Sequence, residues 1–94
     1  MVVTASTAQR REQGARLKAL RVQLGISKIA ICTRFGWEST QTYDLYERGV
    51  SAIRFDAVDD WAAAFGISPE AFVGVILGTR APAEVTATTA TPGA

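Results

Sequence analysis

Histidine is absent from the 94-residue sequence, and cysteine occurs once, as Cys32. Without those side chains, His/Cys zinc sites, histidine-based catalysis and intramolecular disulfides are all excluded. Cys32 lies in an apolar helical stretch and reads as a buried, inert thiol. No apolar run reaches membrane-spanning length, and the opening "MVVTASTAQRREQG" has too short an apolar stretch for a secretory signal. The expected location is a reducing cytoplasm, with no membrane partner. Also missing are a Ser or Cys beside an evident base and a glycine loop able to cradle phosphate. Asp59 and Asp60 are neighbours on a predicted helix, so their carboxylates point apart and share no substrate. These absences argue against an enzyme, and no cofactor or metal is expected.

Charge is present but unevenly placed. The net value is only +1, a weak argument against a generic polyanion binder. Residues 1–36, however, hold Arg10, Arg11, Arg16, Lys18, Arg21, Lys28 and Arg34 against Glu12 alone. Residues 37–94 hold Arg48, Arg54 and Arg80 against the other eight acids. A basic end is where a polyanion docks, and a solvated charged face is the plainer alternative.

Strand-like alternation is lacking throughout, and helical periodicity takes its place. Residues 1–8 are small and polar and read as a loose arm. Leu17, Leu20 and Leu24 form one stripe of a first helix beginning near Gln9, stopped by Gly25. Ser27 is an N-cap for "KIAICTRF", whose inward residues are Ile31, Cys32 and Phe35 and which ends at Gly36. A third helix is expected from Ser39 to about Arg48, with Tyr43 and Tyr46 facing inward. A fourth places Phe55, Val58, Trp61, Ala62 and Phe65 on one face. "SPEAF" opens a fifth with a capping Ser68 and with Pro69 in the first turn, running to about Leu77. The Ala/Thr/Pro-rich end has no repeating apolar face. The expected organisation is an arm at 1–8, an all-α five-helix domain at 9–78 and a disordered tail at 79–94.

A glycine turn joining two short helices forms a helix-turn-helix, whose second member can enter the major groove of DNA. The chain resembles the Cro/lambda-repressor-like (xenobiotic-response-element type) helix-turn-helix family. The resemblance lies in "RLKALRVQLGIS", "ISKIAICTRFGW", "YERG" and "FDAVDDWAAAFGIS", and covers about residues 14 to 73. It implies a compact lambda-repressor-like fold with the helix-turn-helix at the second and third helices.

Carried over position by position, the resemblance implies that Lys28, where the family usually has Gln, contacts a phosphate. Arg48 contacts a second phosphate or braces the turn. Arg21 pairs with Glu47 and ties the first helix to the end of the third. Base reading falls to Ser39, Thr40, Gln41 and Asp44, since Gln can address adenine in a bidentate way and Asp can accept from cytosine. Between Gly36 and Glu47 the chain is one residue longer than the family pattern: either the turn is enlarged around Trp37–Glu38, which keeps Tyr46 in its core place and is the favoured reading, or the third helix is shifted so that Thr42 and Leu45 point inward. Glu38 and the uncharged "GVSAI" loop lower the expected non-specific affinity. Trp37 and Trp61 occupy apolar periodic positions and read as core.

The stretch "AFVGVILG" is more apolar than a terminal helix needs. Some of Val73, Val75, Ile76 and Leu77 therefore face either outward to a two-fold partner or back onto the core. The leading expectation is a sequence-specific regulator of double-stranded DNA, most simply a repressor occupying a pseudo-palindromic operator as a homodimer. Small stand-alone repressors of this kind are typical of phages, mobile elements and toxin–antitoxin operons, again by resemblance, which implies a bacterial or phage-encoded protein. The rival is a protein-binding module on the same scaffold, an antitoxin, adaptor or regulator-binding factor.

Overall fold

The computed structural model describes residues 7–85; residues 1–6 of the expected arm at 1–8 and residues 86–94 of the expected tail at 79–94 lie outside them. Five helices follow in order: α1 Thr7–Leu24, α2 Lys28–Phe35, α3 Gln41–Glu47, α4 Val58–Phe65 and α5 Pro69–Leu77. Among the described residues there is no strand. None of the helices is by itself long and apolar enough to cross a membrane.

Local chemistry sets most of the boundaries. Ser27 Oγ accepts from the Ala30 N–H at 3.1 Å, and Ser68 Oγ accepts from the Ala71 N–H at 3.2 Å. Each hydroxyl satisfies one of the donors that a helix start leaves unpaired. At the end of α2, Gly36 has φ +76°, and the Trp37 N–H donates to Cys32 O at 2.9 Å. A Cβ at Gly36 would meet nothing within 4 Å, so glycine is required there by backbone conformation alone.

The core gathers one stripe from each helix. Leu17 and Leu20 of α1, Ile31 and Cys32 of α2, Tyr43 of α3, Trp61 and Phe65 of α4, and Phe72, Val75 and Ile76 of α5 are all buried. Trp61 is the hub: Tyr46 lies edge-on to it at 4.9 Å, Phe35 is tilted at 4.8 Å and Phe72 is stacked at 6.1 Å. Aromatic pairs in such geometries each add about 0.5–1.5 kcal/mol beyond the area they bury.

Several boundaries differ from the sequence expectation. The first helix begins at Thr7 and takes in two residues of the expected arm. Phe55 is 58% exposed, because residues 55–57 form a separate 3-10 turn and α4 begins only at Val58. Residues 79–85 are not a loose tail. Pro82–Glu84 form a 3-10 turn against α1, and Val85 is buried in the core. An isolated Val after a Pro carries no periodic signal, so its burial shows only when the chain returns to α1.

Candidate nucleic-acid interface

The helix-turn-helix is α2, the turn 36–40 and α3. The third helix starts two residues later than expected, at Gln41, and ends at Glu47 with Arg48 as its C-cap. Ser39 is in the turn, where its hydroxyl accepts from the Gln41 N–H at 3.3 Å. Thr40 is the N-cap residue without a side-chain capping bond. With Tyr43 buried and Thr42 exposed, α3 is not turned so as to point Thr42 inward. Trp37 pins the turn by stacking on Phe35 at 4.5 Å and lying parallel to Tyr46 at 6.0 Å.

The back of α3 is anchored by a network on α1. Arg21 Nε donates to Glu47 Oε2 at 2.7 Å, and the Tyr43 hydroxyl donates to the same oxygen at 2.6 Å. The Arg21 and Glu47 side chains are only 14% and 7% exposed. The bond to Glu47 is the main cause that raises the Arg21 pKa further, and burial followed by the Glu47 bond pushes the Tyr43 phenol well above its ordinary value. Beside this network the backbones nearly touch. A Cβ on Gly14 would lie 2.4 Å from Glu47 O and 2.5 Å from Tyr46 O. At Gly49, with φ +78°, a Cβ would lie 2.7 Å from Arg11 Cα. Gly14 was not among the residues the sequence pointed to. The available signal was a helix-weakening glycine in the middle of an otherwise periodic helix.

The front of α3 is open. Gln41 and Thr42 are exposed, as are Ser39 and Arg48 at the two ends, while Thr40 is half-buried. Thr42 joins the outward set because Tyr43 and Tyr46 take the inward positions. Asp44 does not face outward with Gln41. Its Oδ1 is 2.7 Å from the Lys28 Nζ, across the crossing of α2 and α3. The structure thus joins an expected base reader to an expected phosphate contact.

The basic half of the chain is also partly spent within the molecule. Arg16 Nη1 donates to Ile76 O at 3.1 Å, and Arg34 Nη2 donates to Ala63 O at 3.4 Å. Arg10 Nε donates to Gly49 O at 3.3 Å, and Arg21 Nη1 donates to Ile26 O at 3.2 Å. All four acceptors lie in the last turn of a helix or just beyond it, where the helix dipole favours a cation. The lopsided charge is thus in part a set of helix-end braces. Among the described residues, no three His, Cys, Asp or Glu side chains converge to hold a metal ion.

A family model described as helix-turn-helix matches residues 17–72, from the buried Leu17 of α1 to the buried Phe72 of α5. The chain belongs to the Cro/C1-type helix-turn-helix family. This is a family of DNA-binding transcription regulators. No curated protein and no solved structure matches the chain. The matched span contains α2, α3 and the whole Arg21–Glu47–Tyr43 network, and stops short of most of α5. In this helix-turn-helix domain Val75 and Ile76 are 0% and 1% exposed and fill the protein's own core, so neither is available to a second copy. Leu77 is 49% exposed and Val73 half-buried.

Proposed function

We propose that this chain is a sequence-specific transcriptional repressor that occupies a pseudo-palindromic operator as a homodimer. One observation carries the reading. The outer side of α3 presents exposed Gln41 and Thr42, while the inner side is fixed by buried bonds. A rod held rigidly from behind, with hydrogen-bonding groups in front, suits base-edge contacts in a major groove. Gln41 addresses adenine, the Thr42 methyl can meet the methyl of thymine, and Ser39 and Thr40 approach from the N-terminal end. Arg48 and the backbone N–H groups at the start of α2 supply phosphate contacts on either side. The partner copy docks on Leu77 and Val73 of α5. Such a regulator works in the cytoplasm of a bacterium, or of one carrying a phage or mobile element.

Selection from genomic fragments with purified protein, followed by a footprint, tests this. A short two-fold symmetric sequence should be protected, and affinity should fall steeply as salt rises. Absence of any retained duplex at low salt would overturn the reading. That outcome would favour a protein-binding module, supported by exposed apolar Ile29 on α2 and by Val50 and Phe55 on the loop after α3.

A further inference from the structure

Among the described residues, Lys28 and Asp44 form the one ion pair between the two helices of the motif. A carboxylate on the groove-facing element repels phosphate. Here it binds the cation best placed to offset that repulsion. The pair is 2.7 Å apart, with Lys28 39% and Asp44 34% exposed. Asp44 Oδ1 itself is enclosed and has no hydrogen bond of regular geometry, so the ammonium is what neutralises it. Burial raises the Cys32 thiol pKa; the charge of Asp44 raises it further and that of Lys28 lowers it, as expected for a pair lying over the α2 helix. The other end of the motif has no such arrangement: Arg48 is exposed at the end of α3.

We propose that Asp44 sets how strongly the chain holds DNA of any sequence, by keeping Lys28 bound to itself and away from phosphate. The proposal rests on the DNA-binding reading above and assigns a specific role to a residue that faces α2 rather than a base. Non-specific affinity counts neutralised phosphates. With Lys28 committed to Asp44, that count is one lower than the sequence suggests, and random duplex competes less well with an operator. The contact is exposed enough to exchange with solvent ions, so it limits affinity without locking the fold.

The test uses the full chain and a random-sequence duplex, with the association constant measured from about 50 to about 200 mM salt. In Asp44→Asn, which keeps the side-chain shape, the logarithmic salt slope should steepen by about 0.9, the contribution of one added phosphate contact. The advantage of that variant over the unmodified chain should shrink about threefold across the range. The double variant Asp44→Asn with Lys28→Gln should return to the unmodified slope. An unchanged slope in Asp44→Asn overturns the proposal. So does a steepening that persists in the double variant, because Asp44 would then act by general repulsion and not through Lys28. If the unmodified chain binds and only the slopes disagree, the regulator reading stands while this inference falls. If neither the unmodified chain nor Asp44→Asn holds duplex at low salt, both fall.

Discussion

On its inner side α3 meets α1 through two glycines, a buried ion pair and a phenol. On its outer side it carries amide, hydroxyl and guanidinium groups that reach solvent. The inner side has no room for a methyl group at Gly14, and Glu47 is almost fully enclosed between Arg21 and Tyr43. The outer side has Gln41 and Thr42 exposed and a half-exposed Lys28–Asp44 pair at its flank. Close packing and solvent exposure are thus assigned to opposite faces of a seven-residue helix, and the proposed function places recognition on the exposed one. A helix so short has little stability of its own, so its orientation has to come from what lies behind it.

The comparison makes graded predictions. Gly14→Ala should be the most damaging, because the new methyl meets two backbone carbonyls that move only if α3 separates from α1. A loss of about 4 kcal/mol or more is expected in urea denaturation. A loss below about 1 kcal/mol would mean that the helices are not in that contact. Glu47→Ala leaves Arg21 buried beside an empty site and should cost about 3 kcal/mol.

Tyr43→Phe should cost about 1.5 kcal/mol at neutral pH, the value of a hydrogen bond to a charged acceptor. It should also change the pH dependence. The folded phenol has its pKa raised above the ordinary 10.0, first by burial and then by the Glu47 bond. Above that pH the unfolded chain has released a proton that the folded chain still holds. Stability therefore falls as pH rises from about 10. In Tyr43→Phe the decline should be shallower, which denaturation curves at pH 9 to about 11 would register.

Gln41→Ala should have the smallest effect on folding, within about 0.5 kcal/mol. Its effect should appear at one base pair of the operator, as about 1 kcal/mol of lost discrimination. A uniform loss across all duplexes would instead make Gln41 a backbone contact and blur the division between the two faces.

Much of this is legible in the sequence. The resemblance pointed to an Arg21–Glu47 pair, and the structure places the two side chains in contact at 2.7 Å. Tyr43 and Tyr46 were expected to face inward from α3, and Tyr43 is buried while Tyr46 packs against the core. The phosphate and base roles were less legible. Lys28 and Asp44 are sixteen positions apart, and nothing in either local pattern says that their side chains meet. Val75 and Ile76 read as surplus apolar residues because the apolar run Ala71–Leu77 has no clear inward side until its neighbours are known. Phe55 read as core because its spacing continues the α4 stripe, while the chain leaves helical geometry just before Val58.

By itself the sequence determined the caps that open α2 and α5, the glycine that ends α2, and most of the residues that line the apolar stripes. Caps such as Ser27 and Ser68, a left-handed Gly36 and the spacing of Leu17 and Leu20 act within one or two turns of chain. Those energies are present before any two helices meet. Tertiary structure alone decided that Gly14 must be bare, that Arg16 and Arg34 close the ends of other helices, that Val85 completes the core and that Asp44 turns toward Lys28. Each of these depends on how closely two separate elements approach, and that distance is set by the packing of the whole core around Trp61.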